Sequence, residues 1–76
     1  MEETIKKPCS GEERGRRFKE IRLEKGLSQR KLAEITKGVS ASTIANLEKG
    51  ADISAIKFLR LCLALNIENP DELIYE

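Results

Sequence analysis

Apolar residues recur along this chain at spacings of three and four, the period of a helix with one buried face, and glycine or asparagine separates the runs. Ser10 followed by Glu13 has the form of a capping box, which predicts a first helix beginning there. Phe18 and Ile21 take its inner side, Arg14 and Arg22 are candidates for the same side, and Gly26 supplies a left-handed stop after Lys25. Ser28 caps a second helix, Gln29 to about Thr36, with Leu32, Ala33, Ile35 and Thr36 inward and Gly38 beyond its end. Ser40 caps a third, Ala41 to Lys49, with Ile44 and Leu47 inward and Gly50 closing it. A fourth helix is expected from about Ser54 to Leu65, its inward set Ala55, Phe58, Leu59, Cys62 and Leu65, with Asn66 after it. Asn69 caps a last short helix with Pro70 in its first position and Leu73 facing in. No segment alternates with the period of a strand, so the expected class is all-α: five helices joined by short loops over residues 10–76, after a flexible tail at 1–9.

Size and composition narrow the functions open to such a chain. Seventy-six residues build one small domain, and 39% hydrophobic with 36% charged residues suits a folded helical protein better than a disordered one. No run of about 18 apolar residues is present and the N-terminus lacks an apolar signal region, so a cytoplasmic protein with no membrane span is expected. Histidine is absent, which removes the commonest general base and the commonest metal ligand. Cys9 and Cys62 share no paired spacing and read as reduced thiols, and no glycine-rich phosphate loop occurs. Neither an enzyme nor a metal or cofactor site is expected.

The net charge of +1 says little, but its distribution is polarised. Residues 1–38 carry 11 Lys/Arg against 7 Asp/Glu, whereas residues 39–76 carry 3 against 6. Arg14 to Lys31 is the densest stretch, with 8 basic and 2 acidic residues. One basic face toward an anionic partner would produce this, and so would an ordinary solvated helix. Arg14, Arg16, Arg17 and Lys19 are open to either reading, as are Lys6 and Lys7 in the tail. Arg30 and Lys31, in the first turn of the second helix, are better placed for phosphate.

The stretch LSQRKLAEITKGVSASTIANLEKG, Leu27 to Gly50, holds two helices too short to stand alone, joined by a turn containing glycine. That is the outline of a helix-turn-helix, in which the first helix can offer N-terminal amides to a phosphate and the second can lie in the major groove. The fuller pattern, GLSQRKLAE followed by GVSASTIANLEKG, with RFKEIRLEKG before it and FLRLCLALNI and DELI after it, resembles the lambda-repressor/Cro-like (Xre-type) family of DNA-binding regulators over roughly residues 14–74. The resemblance implies that Gln29 clamps the DNA backbone and braces a base-reading side chain. It implies further that Ala41, Ser42, Ala45 and Asn46 face bases, that Thr43 and Lys49 touch phosphates, and that Arg22 and Glu48 form a buried or half-buried ion pair between the first and third helices.

Two features depart from the family pattern. Four residues, Ile35 to Gly38, separate LAE from VS where three are usual. Either the second helix runs one residue longer or the turn absorbs the residue around Lys37. Because an extra helical residue rotates everything after it by about 100°, absorption in the turn is the expectation. The second departure is two alanines among four base-facing positions, which leaves hydrogen-bond readout to Ser42 and Asn46 while alanine can meet a thymine methyl.

Ile56 and Leu63, seven residues apart, fall outside the expected core stripe of the fourth helix. With Tyr75, Ile74 or Ile67 they would form a two-fold dimer interface, or pack locally against the last helix. The function expected is that of a transcription regulator, in the first instance a repressor, binding inverted-repeat double-stranded DNA as a homodimer. An antitoxin-type autorepressor with a protein partner, a controller of restriction-modification genes, and an adaptor that keeps the fold without reading DNA are neighbouring roles.

Overall fold

Four serines start four helices. In the computed structural model, which describes residues 8–75, the helices are α1 (Gly11–Glu24), α2 (Gln29–Ile35), α3 (Ala41–Glu48), α4 (Ala55–Ala64) and α5 (Asp71–Ile74). Ser10, Ser28, Ser40 and Ser54 each sit in extended backbone, and their hydroxyls accept the N–H groups of Glu13, Lys31, Thr43 and Lys57. Each cap satisfies one of the four donors that a helix start leaves without an internal partner. Ser10 and Glu13 make only half of a reciprocal box, because the Glu13 carboxylate accepts from Arg16 and Arg17. These two guanidiniums, Arg16 foremost, hold the Glu13 carboxyl below its usual carboxylate range. α5 begins one residue later than its sequence suggests: Pro70 is the cap, without a side-chain bond, and the Asn69 carbonyl accepts from Glu72 N–H.

α1 packs against α3 and α5, while α2 packs against α3 and α4. Phe18, Leu32, Ile44, Leu47, Leu61, Leu65 and Leu73 are fully enclosed where these faces meet. The approach of α1 to α3 depends on Gly15: a Cβ there would lie 2.5 Å from the Leu47 carbonyl oxygen and 2.7 Å from that of Glu48.

Several inward assignments differ from the sequence reading. In α4 the buried stripe is Phe58, Leu61, Cys62 and Leu65, while Ala55 and Leu59 face outward. α4 is apolar around nearly its whole circumference, so periodicity could not choose between the two rotations. Ile35, expected inward, is half exposed, while Thr36 at the end of α2 is buried as expected. The residue assigned to the tail nearest the domain is also built into the fold. Cys9 is buried, its N–H donates to the Ile74 carbonyl at 2.8 Å, and its thiol donates to the Leu73 carbonyl at 3.0 Å. Pro8 forms an isolated bridge with Tyr75. The remainder of the expected tail, with Lys6 and Lys7, lies outside the described residues. Among the described residues no helix is long and apolar enough to cross a membrane.

Candidate nucleic-acid interface

The turn between α2 and α3 determines what α3 presents. α2 ends at Ile35, and Thr36 leaves helical geometry at φ −103° and ψ 105°. Lys37 is exposed, Gly38 takes the left-handed φ of +84°, and Val39 returns to the core. The additional residue is therefore absorbed in the turn and Ile44 and Leu47 keep their inward register. Thr36 bears a cost for this path: its hydroxyl is buried with no hydrogen-bond partner among the described residues.

With Ile44 and Leu47 inward, Ser42, Asn46 and Lys49 are exposed at i, i+4 and i+7, on the opposite side of α3. Ala41 and Ala45 flank them, half-buried, and Thr43 lies half-buried toward the core side. The start of α3 is a cluster of three hydroxyls. Ser40 Oγ accepts Thr43 N–H at 3.2 Å and shares hydrogen bonds with Ser42 Oγ at 3.1 Å and Thr43 Oγ1 at 3.0 Å. The sequence shows the cap but gives no sign that Ser42 and Thr43 are held by it. Neither α2 nor α3 has an acidic residue in its first turn, so the N-terminal amides of both face solvent without a competing carboxylate on their own turn.

Gln29, at the start of α2, is half-buried and donates from Nε2 to Glu48 Oε1 at 3.0 Å. Glu48 is in turn gripped by Arg22, whose Nε donates to Oε2 at 2.7 Å and whose Nη2 donates to Oε1 at 3.0 Å. The third Arg22 nitrogen, Nη1, donates to the Leu27 carbonyl at 2.7 Å, in the loop between α1 and α2. Both charged side chains are about 5% exposed, 6% for Arg22 and 4% for Glu48, so the pair expected between α1 and α3 is present and dry. Its extension to Gln29 joins three helices at one carboxylate, a link between positions 19 apart that sequence spacing does not reveal.

The basic stretch divides into committed and available cations. Arg14 pairs with Asp52 at 2.7 Å, Arg16 with Glu13 and Glu20, and Arg17 with Glu13 and with the carbonyls of Glu72 and Tyr75. Lys31 is 3.7 Å from Glu34. Lys19, Arg30 and Lys49 are exposed and have no ion-pair partner among the described residues. Among the described residues, Arg30 and Lys49 thus lie unneutralised on and just after the two helices of the helix-turn-helix, and Lys37 likewise in its turn.

On the other side of α4 from the core, Ile56 is 64% exposed, Leu59 51% and Leu63 78%, so the apolar pair expected there gains Leu59 as a third member. Tyr75 is exposed, while Ile67 and Ile74 are packed against the core edge.

Comparison with known proteins agrees with this geometry. The helix-turn-helix family model matches residues 18–73. Among solved structures, the restriction-modification controller protein C.AhdI from Aeromonas hydrophila is 38% identical with a TM-score of 0.74, covering 83% of this chain and 90% of its own. The clp gene regulator ClgR from C. glutamicum is 29% identical with a TM-score of 0.74, covering 93% of this chain and 90% of its own. No curated protein sequence matches. An all-α chain with this match and these neighbours belongs to the lambda-repressor/Cro-like (Xre-type) helix-turn-helix family of DNA-binding regulators.

Proposed function

We propose that this protein is a sequence-specific transcription regulator, acting as a repressor, that binds an inverted-repeat operator as a homodimer with α3 in the major groove. The observation that carries the reading is the outward row Ser42, Asn46 and Lys49 on a helix whose opposite face is locked into the core. Asn46 has the amide needed for a two-point contact with adenine, and Ala41 and Ala45 offer methyl groups to thymine. Gln29, Arg30, Thr43 and Lys49 contact the backbone, where charge and N–H donors set affinity and register without reading sequence. The resemblance to a restriction-modification controller and to a gene regulator favours control of transcription over an adaptor role.

The exposed stripe Ile56, Leu59 and Leu63, with Tyr75 beside the chain end, is assigned to a second copy of the chain. A two-fold pair would set the recognition helices about 34 Å apart, or a multiple of that, and would account for a palindromic site. Selection of bound duplexes from a random pool, repeated at two salt concentrations, tests the whole reading. Enrichment of an inverted repeat with affinity falling steeply in salt is expected. Salt-dependent binding without enrichment would remove sequence specificity from the proposal, and no binding at low salt would remove DNA.

A further inference from the structure

Gln29 does not stand free on the surface: its amide faces a carboxylate that is itself fixed from behind. An ionised carboxylate only accepts hydrogen bonds, so it selects the nitrogen end of the amide and turns Gln29 Oε1 away. Nε2 carries two hydrogens, and with one on Glu48 Oε1 the second has its direction set by the planarity of the amide. Arg22 binds both Glu48 oxygens and the Leu27 carbonyl, so the carboxylate cannot rotate independently of α1 or of the loop entering α2. The same guanidinium neutralises Glu48, which allows a carboxylate to lie one side chain away from an anion without repelling it.

From this geometry we infer that Glu48 is a positioning residue for DNA binding, holding the Gln29 amide so that its second Nε2 hydrogen is aimed at a backbone phosphate. Glu48 itself touches no nucleic acid. The inference rests on the DNA-binding reading above and adds to it a residue on the far end of the recognition helix that acts through the first helix of the motif. Pre-orientation of this kind removes the cost of freezing a glutamine side chain at the moment of binding. It also makes the affinity of the backbone clamp depend on a pair that ties α1 to α3.

A double-mutant cycle distinguishes this role from a structural one. Operator affinity is measured for the wild type, Gln29→Ala, Glu48→Gln and the double variant, with Glu48→Asp as the charge-conserving variant that retracts the carboxylate from Gln29. Thermal melts confirm that each protein is folded at the assay temperature, and Glu48→Asp carries the comparison if Glu48→Gln is not. Each Glu48 variant is expected to weaken binding about fivefold in the wild-type background and less than about twofold once Gln29 is alanine. The salt dependence is expected to stay as in the wild type, because a neutral amide contact releases no counterion. Equal losses in both backgrounds, a reduced salt slope, or no loss at all would overturn the positioning role while leaving DNA binding intact. A wild-type protein that binds no duplex would overturn both.

Discussion

Arg22 and Glu48 show how a single buried pair can be both a stability element and a liability. Each has been removed from water, and the cost is recovered only while both partners and their hydrogen bonds are present. Glu48→Ala should therefore destabilise the protein by about 3–5 kcal/mol in urea unfolding, since it strands the guanidinium. The apolar pair Arg22→Met with Glu48→Leu should recover most of that loss, and a double variant as unstable as the single one would place the cost elsewhere. Cys62 provides a second test at this scale. Burial pushes its thiol up to about 11 from an ordinary 9.0, so below pH 9 folded and unfolded chains both hold the proton. Between these values the unfolded chain releases it first, and the contribution of Cys62 to stability falls as pH rises. Replacing Cys62 by Ala should make the urea midpoint fall less steeply from pH 8 to 10 than in the wild type, and the native thiol should resist a disulfide reagent at pH 8 until urea is added. Periodicity assigned Cys62 to the core and left Arg14 and Arg22 as candidates for the inner side of α1, but the partner of Arg22 came from family resemblance, because charge alone does not say which carboxylate a buried arginine meets.

At the scale of elements, close approach matters as much as apolar pattern. Gly15 sits where α1 meets the last turn of α3, and the atoms a Cβ would strike are backbone carbonyls that cannot swing aside. Gly15→Ala should cost about 2–3 kcal/mol by separating the two helices, despite the better helix propensity of alanine. Gly38→Ala makes a useful contrast. Its Cβ would meet the end of the Arg60 side chain, which can move, so the expected loss is the roughly 1 kcal/mol of forcing φ +84° on an alanine. Comparable losses in the two variants would show that the α1–α3 crossing is looser than its geometry indicates. Serine caps, glycine stops and the left-handed Asn66 at φ 59° made the helix count and most boundaries legible in the sequence. The rotation of α4 was not legible, since Leu59 and Leu61 are chemically equivalent and only packing in the shared core separates them. Of the two residues expected inward at the end of α2, Thr36 is buried and Ile35 is not, and the apolar character of Ile35 gave no sign that it faces out.

For the whole molecule, the outer face of α4 is the feature that the monomer fold does not use. Leu61 and Leu63 lie two residues apart on one helix, the first fully buried and the second 78% exposed. If the stripe of Ile56, Leu59 and Leu63 meets a second copy, these two leucines must respond differently to the same change. Leu61→Glu should unfold the domain, because it places a charge among enclosed apolar side chains. Leu63→Glu should leave helicity and the urea midpoint of the monomer nearly unchanged, within about 0.5 kcal/mol for an exposed position. It should nonetheless turn a sedimenting dimer into a monomer and weaken binding to a full inverted repeat far more than to a single half-site. The weakening follows because two linked half-site contacts act as one binding event only while the protomers stay joined. Restoring dimerisation by fusing two Leu63→Glu chains through a flexible linker should then recover full-site affinity. A Leu63→Glu protein that sediments like the wild type and keeps its preference for the full site would exclude α4 as the dimer face, and with it the assignment of this apolar stripe to a second copy.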